Sequence, residues 1–396
     1  MKQALIRGVA AAVLMASLAG NSMAGQAVFY RFVGTDGSGM RSVGMSAITW
    51  TNVQASGGYK VEWNPSPAAR SNTWEEFLFG TATSAVMTVG VPRPSTVRPA
   101  ISNWALVPGG EFWMGNSYTN LNTPDERPVH AAGVRPLYIE RYEVSRTLWD
   151  EVRGWALTNG YADISAGAAL GGDHPIQSVT WFDCIKWCNA RSERDGLEPA
   201  YYTNALQTGV YRVGALDISN ACVRWTANGY RLPTEAEWEK AARGGLYDQF
   251  YPWTSYGGAW SNHIGKSNAN YRASGDPFDT TNIVADVETT PTGYYHGAQV
   301  IDGVTQSVDM MNGYGLYDVA GNVYEWCWDR YDSSYYATYS SNAWPADVQG
   351  PDVGDTRVLR GGSWNDSAAG LRCANRFNNP PSSFAGSFGL RCCRGL

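Results

Sequence analysis

The sequence is poor in charge and has very little lysine. Charged residues make up 17% of its 396 residues, and only five of its thirty basic residues are lysines. The formal net charge is -6, and no stretch forms a basic stripe. Such a chain lacks the electrostatic footprint that a phosphate backbone needs, so we expect no nucleic acid partner.

Long apolar runs are also scarce, and the clearest one lies at the N-terminus. Val9–Leu18 follows the basic residues Lys2 and Arg7 and precedes the small-x-small triplet Ser22–Ala24. This pattern is typical of a secretory signal peptide, so we expect residues 1–24 to be removed and the mature chain to be secreted or periplasmic. A retained membrane anchor is the alternative. No later segment has the ~20 apolar residues that a membrane span needs.

Paired metal ligands of the zinc type are missing as well. The seven cysteines include no C-x-x-C pair, and none of the four histidines lies in an H-x-x-x-H or H-x-E arrangement. A zinc site is therefore not expected. In an exported chain the cysteines are expected to form disulfides, and their odd number leaves at least one free or paired outside the chain.

Glycine and aromatic residues are abundant: the chain has 44 glycines, 17 tryptophans and 23 tyrosines. This composition indicates a loop-rich fold held together by buried aromatic side chains. Short alternating segments in residues 25–92 predict a small all-β module, a sandwich or half-barrel, with an expected role in spacing or adhesion. Residues 93–103 are expected to form a proline-rich linker, followed by a second domain over residues 104–396.

Local signals predict a hairpin and two helices early in the second domain. The Pro-Gly-Gly turn within Trp104–Gly115 fits a hairpin. Ser145 is expected to cap the first helix, because it precedes apolar residues at helical spacing. Thr180 and Asp183 lie three residues apart and approximate a capping box for the second helix.

A third helix has the clearest signals in the chain. Thr234 and Glu237 form a full capping box, and Gly244 is expected to end the helix. Glu235 and Glu239 are the other glutamates of this segment, and its early glutamates complement the helix dipole. Capping and solvation explain these acids adequately, so we do not expect them to be catalytic.

The stretch Asn312–Trp326 concentrates oxygen ligands, glycines and aromatic residues. Asp318 and Glu325 supply carboxylates, Asn322 supplies an amide, and the glycines allow backbone carbonyls to turn toward a common centre. Oxygen donors of this kind suit a hard cation such as calcium. The alternative is an ordinary Gly-Asn turn with surface acids and with its aromatic residues in the core.

Eight blocks of the second domain occur in the order of a known family. They are PGGEFWMG, DERPVH with YIERYEVS, HPIQSVTWFDCIKWC, GYRLPTEAEWEKAARGG, FYPW, NGYGLYDVAGNVYEW, RVLRGGSW and SFGLRC. Together they resemble the sulfatase-modifying domain of the formylglycine-generating enzyme family over Trp104–Leu396. The resemblance implies an α+β domain, poor in regular secondary structure and related to C-type lectin-like modules, here preceded by the small β-sandwich-like module.

The resemblance implies two structural calcium ions. The second site would be formed by Asp318, the carbonyls of Gly321 and Val323, and Glu325. Asp318 stands where family members often have Asn or Asp, and calcium accepts either oxygen donor.

The first calcium site would be formed by Asn270, the Tyr271 carbonyl, Asp276 and the Phe278 carbonyl. The spacing between its Asn and Asp is shorter than in the animal enzymes. Asp279 is therefore an alternative to Asp276.

The segment after RGGS departs from the oxidase members of the family, which hold copper(I) with two cysteines there. Asn365 and Asp366 occupy the place of the first cysteine, the loop is shortened where the second should be, and Cys373 resembles a structural cysteine of the family. Copper(I) demands soft thiolate ligands, so we expect no copper and no copper-dependent formylglycine formation. A thiolate pair of Cys373 and Cys393 is the alternative.

A ligand pocket is expected beside the RGGSW motif. Ser363 is retained from the family pattern, and Trp364 and Asp366 follow it. Arg372 and Arg376 are candidates to line the same hollow and bind a carboxylate or sulfate group. The alternative is that RGGSW turns a buried strand and that both arginines form structural ion pairs.

The resemblance also implies a disulfide between Cys188 and Cys392. The family's other bridge would join Cys373 to the position held here by Ala242. Cys373 must then find another partner or stay free, and the candidates are Cys184, Cys222, Cys327 and Cys393.

Three classes of function follow from these features. The first is a calcium-stabilised binding or accessory protein, a pseudoenzyme that recognises a protein, peptide or glycan. The second is a formylglycine-generating oxidase that acts on sulfatase cysteines through a non-standard site, and the third is another enzyme or maturation factor of the family. The sulfoxide synthase branch uses non-haem iron with an added helical domain, which we do not find before Trp104, so iron is not expected.

Overall fold

A computed structural model describes residues 103–118, 123–247, 249–253, 263–272, 288–301, 305–306, 308–338 and 349–395, together with the backbone of six short strands in the first hundred residues. The chain divides into two compact units, Met1–Ser102 and Asn103–Leu396. The predicted signal peptide lies outside the described residues. Among the described residues, no helix combines the length and apolarity that crossing a membrane requires.

The described backbone of the first unit consists of strands. A four-stranded antiparallel sheet has the order β2-β1-β4-β5, and β3 pairs with β6. All six of these strands fall within residues 25–92, for which the β module was predicted. The strands are β1 (Phe29–Gly34), β2 (Arg41–Gly44), β3 (Ala47–Thr49), β4 (Tyr59–Asn64), β5 (Glu75–Gly80) and β6 (Thr88–Gly90).

The first two helices of the second unit begin at the predicted caps. Helix α1 (Arg146–Thr158) follows Ser145, whose hydroxyl accepts a hydrogen bond from the backbone N–H three residues later. Helix α2 (Trp181–Arg194) has a complete capping box formed by Thr180 and Asp183. Both predictions are confirmed, because capping depends on residues only three positions apart.

Helix α3 (Glu235–Arg243) is also confirmed. Thr234 and Glu237 form the predicted capping box, and Gly244 ends the helix in the left-handed region with φ 57°. The prediction that the α3 glutamates are solvated is wrong. Glu235, Glu237 and Glu239 are 3%, 8% and 0% exposed. Arg376 and Arg360, from distant segments, pair with Glu235 and Glu239, and the nearby Arg231 pairs with Glu237.

The strands of the second unit form small sheets. A mixed sheet has the order β15-β14-β13-β16, a second sheet has the order β17-β10-β7, and two further pairs are β8-β9 and β11-β12. Strand β13 lies between an antiparallel and a parallel neighbour and carries the end of the predicted ion-binding loop. The strands are β7 (Trp104–Val107), β8 (Gly110–Met114), β9 (His130–Val134), β10 (Leu137–Glu140), β11 (Val300–Ile301), β12 (Thr305–Gln306), β13 (Tyr324–Arg330), β14 (Arg357–Arg360), β15 (Phe377–Asn379), β16 (Phe388–Gly389) and β17 (Cys393–Gly395).

The hairpin predicted around the Pro-Gly-Gly turn is wrong. Strand β7 pairs with β10, and β8 pairs with β9, so the two strands that flank the turn belong to different sheets. Gly110 has φ 112°, a conformation that glycine adopts without strain, and the chain passes there from one sheet to the other. Ala105 and Val107 of β7 are buried in the core.

Aromatic side chains fill the core, as the composition predicts. Trp149 of α1 and Trp187 of α2 stack with ring centroids 5.2 Å apart and planes 4° apart. Stacked rings of this kind add directional contact to a large buried area. The fold is thus α+β with little regular secondary structure. The fully buried tryptophans are Trp149, Trp181, Trp187, Trp238, Trp326 and Trp328.

Candidate functional site

The predicted ion-binding loop is a tight turn that leads into β13. Asp318 and Asn322 both have positive φ, at 58° and 64°, and Gly321 has φ 90°. A Cβ atom at Gly321 would lie 2.2 Å from the Asn270 carbonyl oxygen, so only glycine fits there. The Asn322 N–H donates to that same carbonyl oxygen at 2.9 Å. The loop is therefore held against the backbone of Asn270.

Two hydrogen bonds join this loop to the segment that contains RGGSW. The Gly321 N–H donates to the Gly361 carbonyl at 2.9 Å, and the Trp364 N–H donates to the Asn322 carbonyl at 2.8 Å. Residues 318–323 and 361–366 thus lie side by side, and we call them together the loop face. The structure brings the predicted calcium loop and the predicted pocket into one region.

Asp318 in the loop face and Glu143, which bonds to this face, have no hydrogen bond from an arginine among the described residues. The Gly293 N–H donates to Asp318 Oδ2 at 2.5 Å, and the Asn322 amide and the Val323 N–H donate to the Glu143 carboxylate at 2.6 and 3.1 Å. Burial raises the pKa of Asp318 to about 6, although the Gly293 N–H opposes the shift. Burial, with the nearby charge of Asp318, also raises the pKa of Glu143 well above its usual range. Negative charge is therefore unfavourable at this place.

Glu325, the other predicted calcium ligand, has partners within the protein. Its two carboxylate oxygens accept hydrogen bonds from Arg391 at 2.7, 3.0 and 3.1 Å and from the Trp238 indole at 2.6 Å. These four contacts use the roughly four acceptor positions of a carboxylate. A calcium ion at the loop would therefore be held by Asp318 and backbone carbonyls, and Glu325 would join only if Arg391 moved. Among the described residues, no three His, Cys, Asp or Glu side chains are arranged as metal ligands.

Glu143 is the carboxylate that sequence reasoning missed. It lies in the YIERYEVS block, 175 positions before Asp318 in numbering, and its side chain is 3% exposed. The only signal in the sequence is an acid that precedes the Val-Ser cap of α1. Because its contacts with the loop are formed between distant segments, local pattern analysis cannot find them.

The first predicted calcium site is described in part. Asn270 and Tyr271 are buried, and the Asn270 amide donates to the Glu288 carbonyl at 2.9 Å. Asp276, Phe278 and the alternative Asp279 lie outside the described residues. Within the described part, Asn270 supports the neighbouring loop through its backbone carbonyl.

Arg372 and Arg376, which were expected to line the pocket, form buried ion pairs. The Arg372 guanidinium donates two hydrogen bonds to the Glu126 carboxylate at 2.6 and 2.7 Å. Arg376 donates to both oxygens of Glu235 at 2.7 and 2.8 Å. These bidentate pairs correspond to the structural alternative. In this arrangement neither guanidinium is available to bind an anion.

Asp366, the other charged candidate of this segment, is held by hydroxyl groups. Its carboxylate accepts one hydrogen bond from the hydroxyl of Tyr324 at 3.0 Å and a short one from the hydroxyl of Ser363. Burial raises the pKa of Asp366, and the two hydroxyl donors partly offset that rise. Trp364 is partly buried, and its indole donates to the Gly386 carbonyl at 2.9 Å. We call Ser363, Tyr324 and Asp366 the Asp366 cluster.

The side chains at this place do not fit copper(I). Carboxylate and hydroxyl oxygens are hard donors, whereas copper(I) is held by soft thiolates. The nearest cysteine in sequence, Cys373, is fully buried, and burial raises its pKa to about 11, which keeps it in the thiol form. Cys373 lies near Arg243 and Glu239, whereas the Cys393 sulfur accepts from Arg231 at 3.1 Å. Different neighbours thus surround the two cysteines proposed as an alternative thiolate pair.

The sulfurs of Cys188 and Cys392 face one another in the core. They lie 3.5 Å apart, and both residues are fully buried. A disulfide has an S–S distance of about 2.05 Å, so the structure places the two thiols together without bonding them. The disulfide implied by the family resemblance stays a prediction.

Comparison with known proteins identifies relatives with several names. The model of the sulfatase-modifying factor enzyme 1-like domain matches residues 89–396. The formylglycine-generating enzyme of Streptomyces coelicolor is 31% identical over 323 residues, and the match covers 76% of this chain and 92% of that enzyme. The chaperone protein LppX of Paenibacillus barcinonensis is 28% identical, with 74% of this chain and 89% of that protein covered.

Two further similarities concern a larger protein and a solved structure. The serine/threonine-protein kinase pkn1 of Chlamydia caviae is 30% identical over 303 residues, which are 76% of this chain but only 39% of the kinase. Treponema denticola variable protein 1 has a structure that superposes with a TM-score of 0.52 at 28% identity, covering 74% of this chain and 95% of that one. The same fold therefore occurs in proteins of quite different names.

Proposed function

The chain belongs to the family of sulfatase-modifying factor enzyme 1-like domains, and we propose that it is a secreted, calcium-stabilised binding or accessory member without copper-dependent oxidase activity. The observation that carries the proposal is Asp366. It stands where the oxidase members of the family are expected to have a copper-binding cysteine, and two hydroxyl groups hold its carboxylate in place. A hydrogen-bonded carboxylate can bind a ligand but cannot replace a thiolate on copper(I).

The names of the relatives support a role beyond oxidation. Proteins called a kinase and a chaperone contain a domain similar to this chain, and in the kinase the matched part is 39% of the length. A domain that is shared among such proteins is suited to recognition, with the chemistry of each protein residing elsewhere. The ligand of this chain would then be a protein, a peptide or a glycan.

Calcium stabilisation is proposed from the charge balance of the loop face. Three buried carboxylates, those of Glu143, Asp318 and Glu325, lie around one guanidinium, that of Arg391. A divalent cation held by Asp318 and neighbouring carbonyls would relieve the excess negative charge. Oxygen donors on a rigid turn are what calcium prefers.

The proposal is tested by offering the purified protein copper and a substrate peptide. The mature protein is reconstituted with copper(I) and incubated under oxygen with a C-x-P-x-R peptide, with the formylglycine-generating enzyme of Streptomyces coelicolor as the positive control. We expect the control to form aldehyde and this protein to form none. Aldehyde formation that is abolished by Cys373→Ser would overturn the proposal and favour the oxidase alternative.

A further inference from the structure

We infer that the ligand bound at the Asp366 cluster is an organic cation, an ammonium or guanidinium group, rather than an anion. The inference rests on the proposed binding function and specifies the chemistry of its ligand. From the sequence, the arginines near this segment suggested a negatively charged ligand, whereas the inferred ligand is positively charged. Three observations carry it.

The first observation is that the nearby arginines are already neutralised. Arg372 and Arg376 are 2% and 7% exposed, and each forms a bidentate pair with a buried glutamate. Displacing either glutamate would strand a buried charge, which is costly. An incoming carboxylate or sulfate would therefore find no available guanidinium at this place.

The second observation is that Asp366 keeps acceptor capacity and has no cationic partner. Tyr324 and Ser363 donate one hydrogen bond each to its carboxylate, which leaves about two of four acceptor positions. Among the described residues, no lysine or arginine forms an ion pair with it. Arg272 contacts Asp366 through its backbone N–H, which donates to the Asp366 carbonyl at 2.8 Å. A partly exposed carboxylate of this kind is complementary to a cationic donor.

The third observation is an aromatic surface next to the carboxylate. The Tyr324 ring, whose hydroxyl bonds Asp366, stacks on Phe377 with centroids 4.8 Å apart and planes 22° apart. Tyr324 is 5% exposed and Phe377 is 37% exposed, so Phe377 is the part of this aromatic pair that reaches solvent. An organic cation bound to the carboxylate would meet the exposed Phe377 ring, and aromatic rings attract positive charge over their faces. A carboxylate near an exposed aromatic ring favours an alkylammonium or guanidinium ion over a hydrated metal ion.

The test uses small probes that differ only in their side-chain charge. Binding of the N-acetyl, N-methylamide derivatives of lysine, arginine, norleucine and glutamate to the mature protein is measured by isothermal titration calorimetry and by amide chemical shifts. We expect the lysine and arginine derivatives to bind more tightly than norleucine, and glutamate to bind least. Asp366→Asn should weaken binding of the lysine derivative by about tenfold or more, because the charged acceptor is lost.

A matched variant and a second contact keep the test decisive. Asp355→Asn makes the same change of charge at an exposed position and should leave the affinity unchanged. Phe377→Ser changes a partly exposed ring, so the variant should fold normally, and it should weaken binding of the lysine derivative by about two- to fivefold. This variant decides the question if Asp366→Asn does not fold. Equal binding of lysine and norleucine, or tighter binding of glutamate, would overturn the inference. Aldehyde formation in the copper assay would instead overturn the proposed function, so the two failures are distinguishable.

Discussion

Two regions of the second unit differ in the hydrogen-bond partners of their carboxylates. In the first region, which we call the paired interior, each glutamate of α3 forms an ion pair with at least one arginine. The pairs are Arg231 with Glu237 at 2.5 and 2.6 Å, Arg376 with Glu235, and both Arg243 and Arg360 with Glu239. The facing sulfurs of Cys188 and Cys392 also belong to it. In the loop face, Asp318 and Asp366 have only hydroxyl or N–H donors.

This difference separates groups that stabilise the fold from groups that can bind something else. Burial alone would raise the pKa of Glu235, but Arg376 and Arg360 reverse the effect and lower it. Burial raises the pKa of Asp318 and of Asp366. The charge of Arg391 opposes the rise at Asp318 without reversing it, and among the described residues no arginine forms an ion pair with either carboxylate. Carboxylates whose pKa is raised in this way cluster at functional sites of proteins.

The largest expected effect comes from breaking the paired interior at its sulfurs. A disulfide between Cys188 and Cys392 would link residues 204 positions apart, and on the chain-entropy model it stabilises the protein by about 4 kcal/mol or more. We expect reductant to lower the free energy of unfolding in urea by that amount. Cys188→Ala should be insensitive to reductant. Peptide mapping without reduction checks the bond directly, and a Cys188 that is alkylated in the native protein contradicts it.

The next largest effect comes from removing one arginine of the paired interior. Arg376→Met removes the bidentate partner of the buried Glu235 and leaves it, among the described arginines, only the longer contact with Arg360 at 3.5 Å. Removing one partner of a buried ion pair costs about 3 to 5 kcal/mol. Arg146→Met breaks a pair with Asp150 that is largely exposed, and its expected cost is about 0.2 to 1 kcal/mol. Urea unfolding of both variants makes the comparison. If the two variants lose the same stability, the buried pair is not an important part of the core.

These pairs also show where sequence analysis succeeds and where it stops. The caps at Ser145, Thr180 and Thr234 were predictable because each depends on residues three positions away. The exposure of the α3 glutamates was not, because Arg360 and Arg376 come from strands and turns more than a hundred positions later. Contacts between distant segments decide which side chains are buried, and neighbouring residues in a single sequence do not reveal such contacts.

The candidate site likewise has features that the sequence located and features that it did not. Family blocks located the loop around Asp318 and the segment around Asp366, and the structure brings these two segments together. Glu143 was missed, and the anion-binding role considered for Arg372 was replaced by an ion pair with Glu126. A motif specifies which residues are near a site, whereas their partners from other segments decide which of them remain available.

A smaller effect is expected from calcium at the loop face. With free calcium at one hundred times its dissociation constant, binding stabilises the folded chain by about 2.7 kcal/mol, so a chelator should lower the melting temperature. Asp318→Ala should remove this sensitivity, because it deletes the side-chain oxygen ligand and one source of repulsion on Glu143. Asp355→Ala, with the same change at an exposed place, should keep it. Glu325→Ala is a poorer test, since it would also strand the buried Arg391.

If chelator leaves the melting curve of the wild type unchanged, the calcium proposal is wrong. The excess charge would then be relieved by protonation of Glu143, whose pKa is raised by burial and by Asp318. The carboxylates at the loop face would still lack arginine partners, but a proton on Glu143, rather than a calcium ion, would reduce their negative charge.

The smallest effect, and the most local, is expected from Tyr324→Phe. The variant deletes the hydroxyl that donates to Asp366 at 3.0 Å and keeps the ring that stacks on Phe377. A hydrogen bond to a charged acceptor is worth ~1.5–3 kcal/mol and one to a neutral acceptor ~0.5–1.5 kcal/mol, so the loss should be larger when Asp366 is ionised. The cost of the variant should therefore rise by about 1 kcal/mol as the pH rises through the pKa of Asp366.

The sign of this dependence follows from burial. Because burial raises the pKa of Asp366 above its unfolded value, the folded chain holds that proton more tightly, and the contribution of the group to stability is lost as the pH rises through the folded pKa. Without the Tyr324 hydroxyl the pKa should rise further, which a carbon-detected NMR titration of the Asp366 carboxyl measures. Tyr251→Phe removes a hydroxyl that donates to the Ala368 carbonyl at 2.8 Å, so its cost should not vary with pH over this range. If both variants show the same pH dependence, the Tyr324 hydroxyl is not bonded to an ionised carboxylate. Asp366 would then not be a charged group of the loop face.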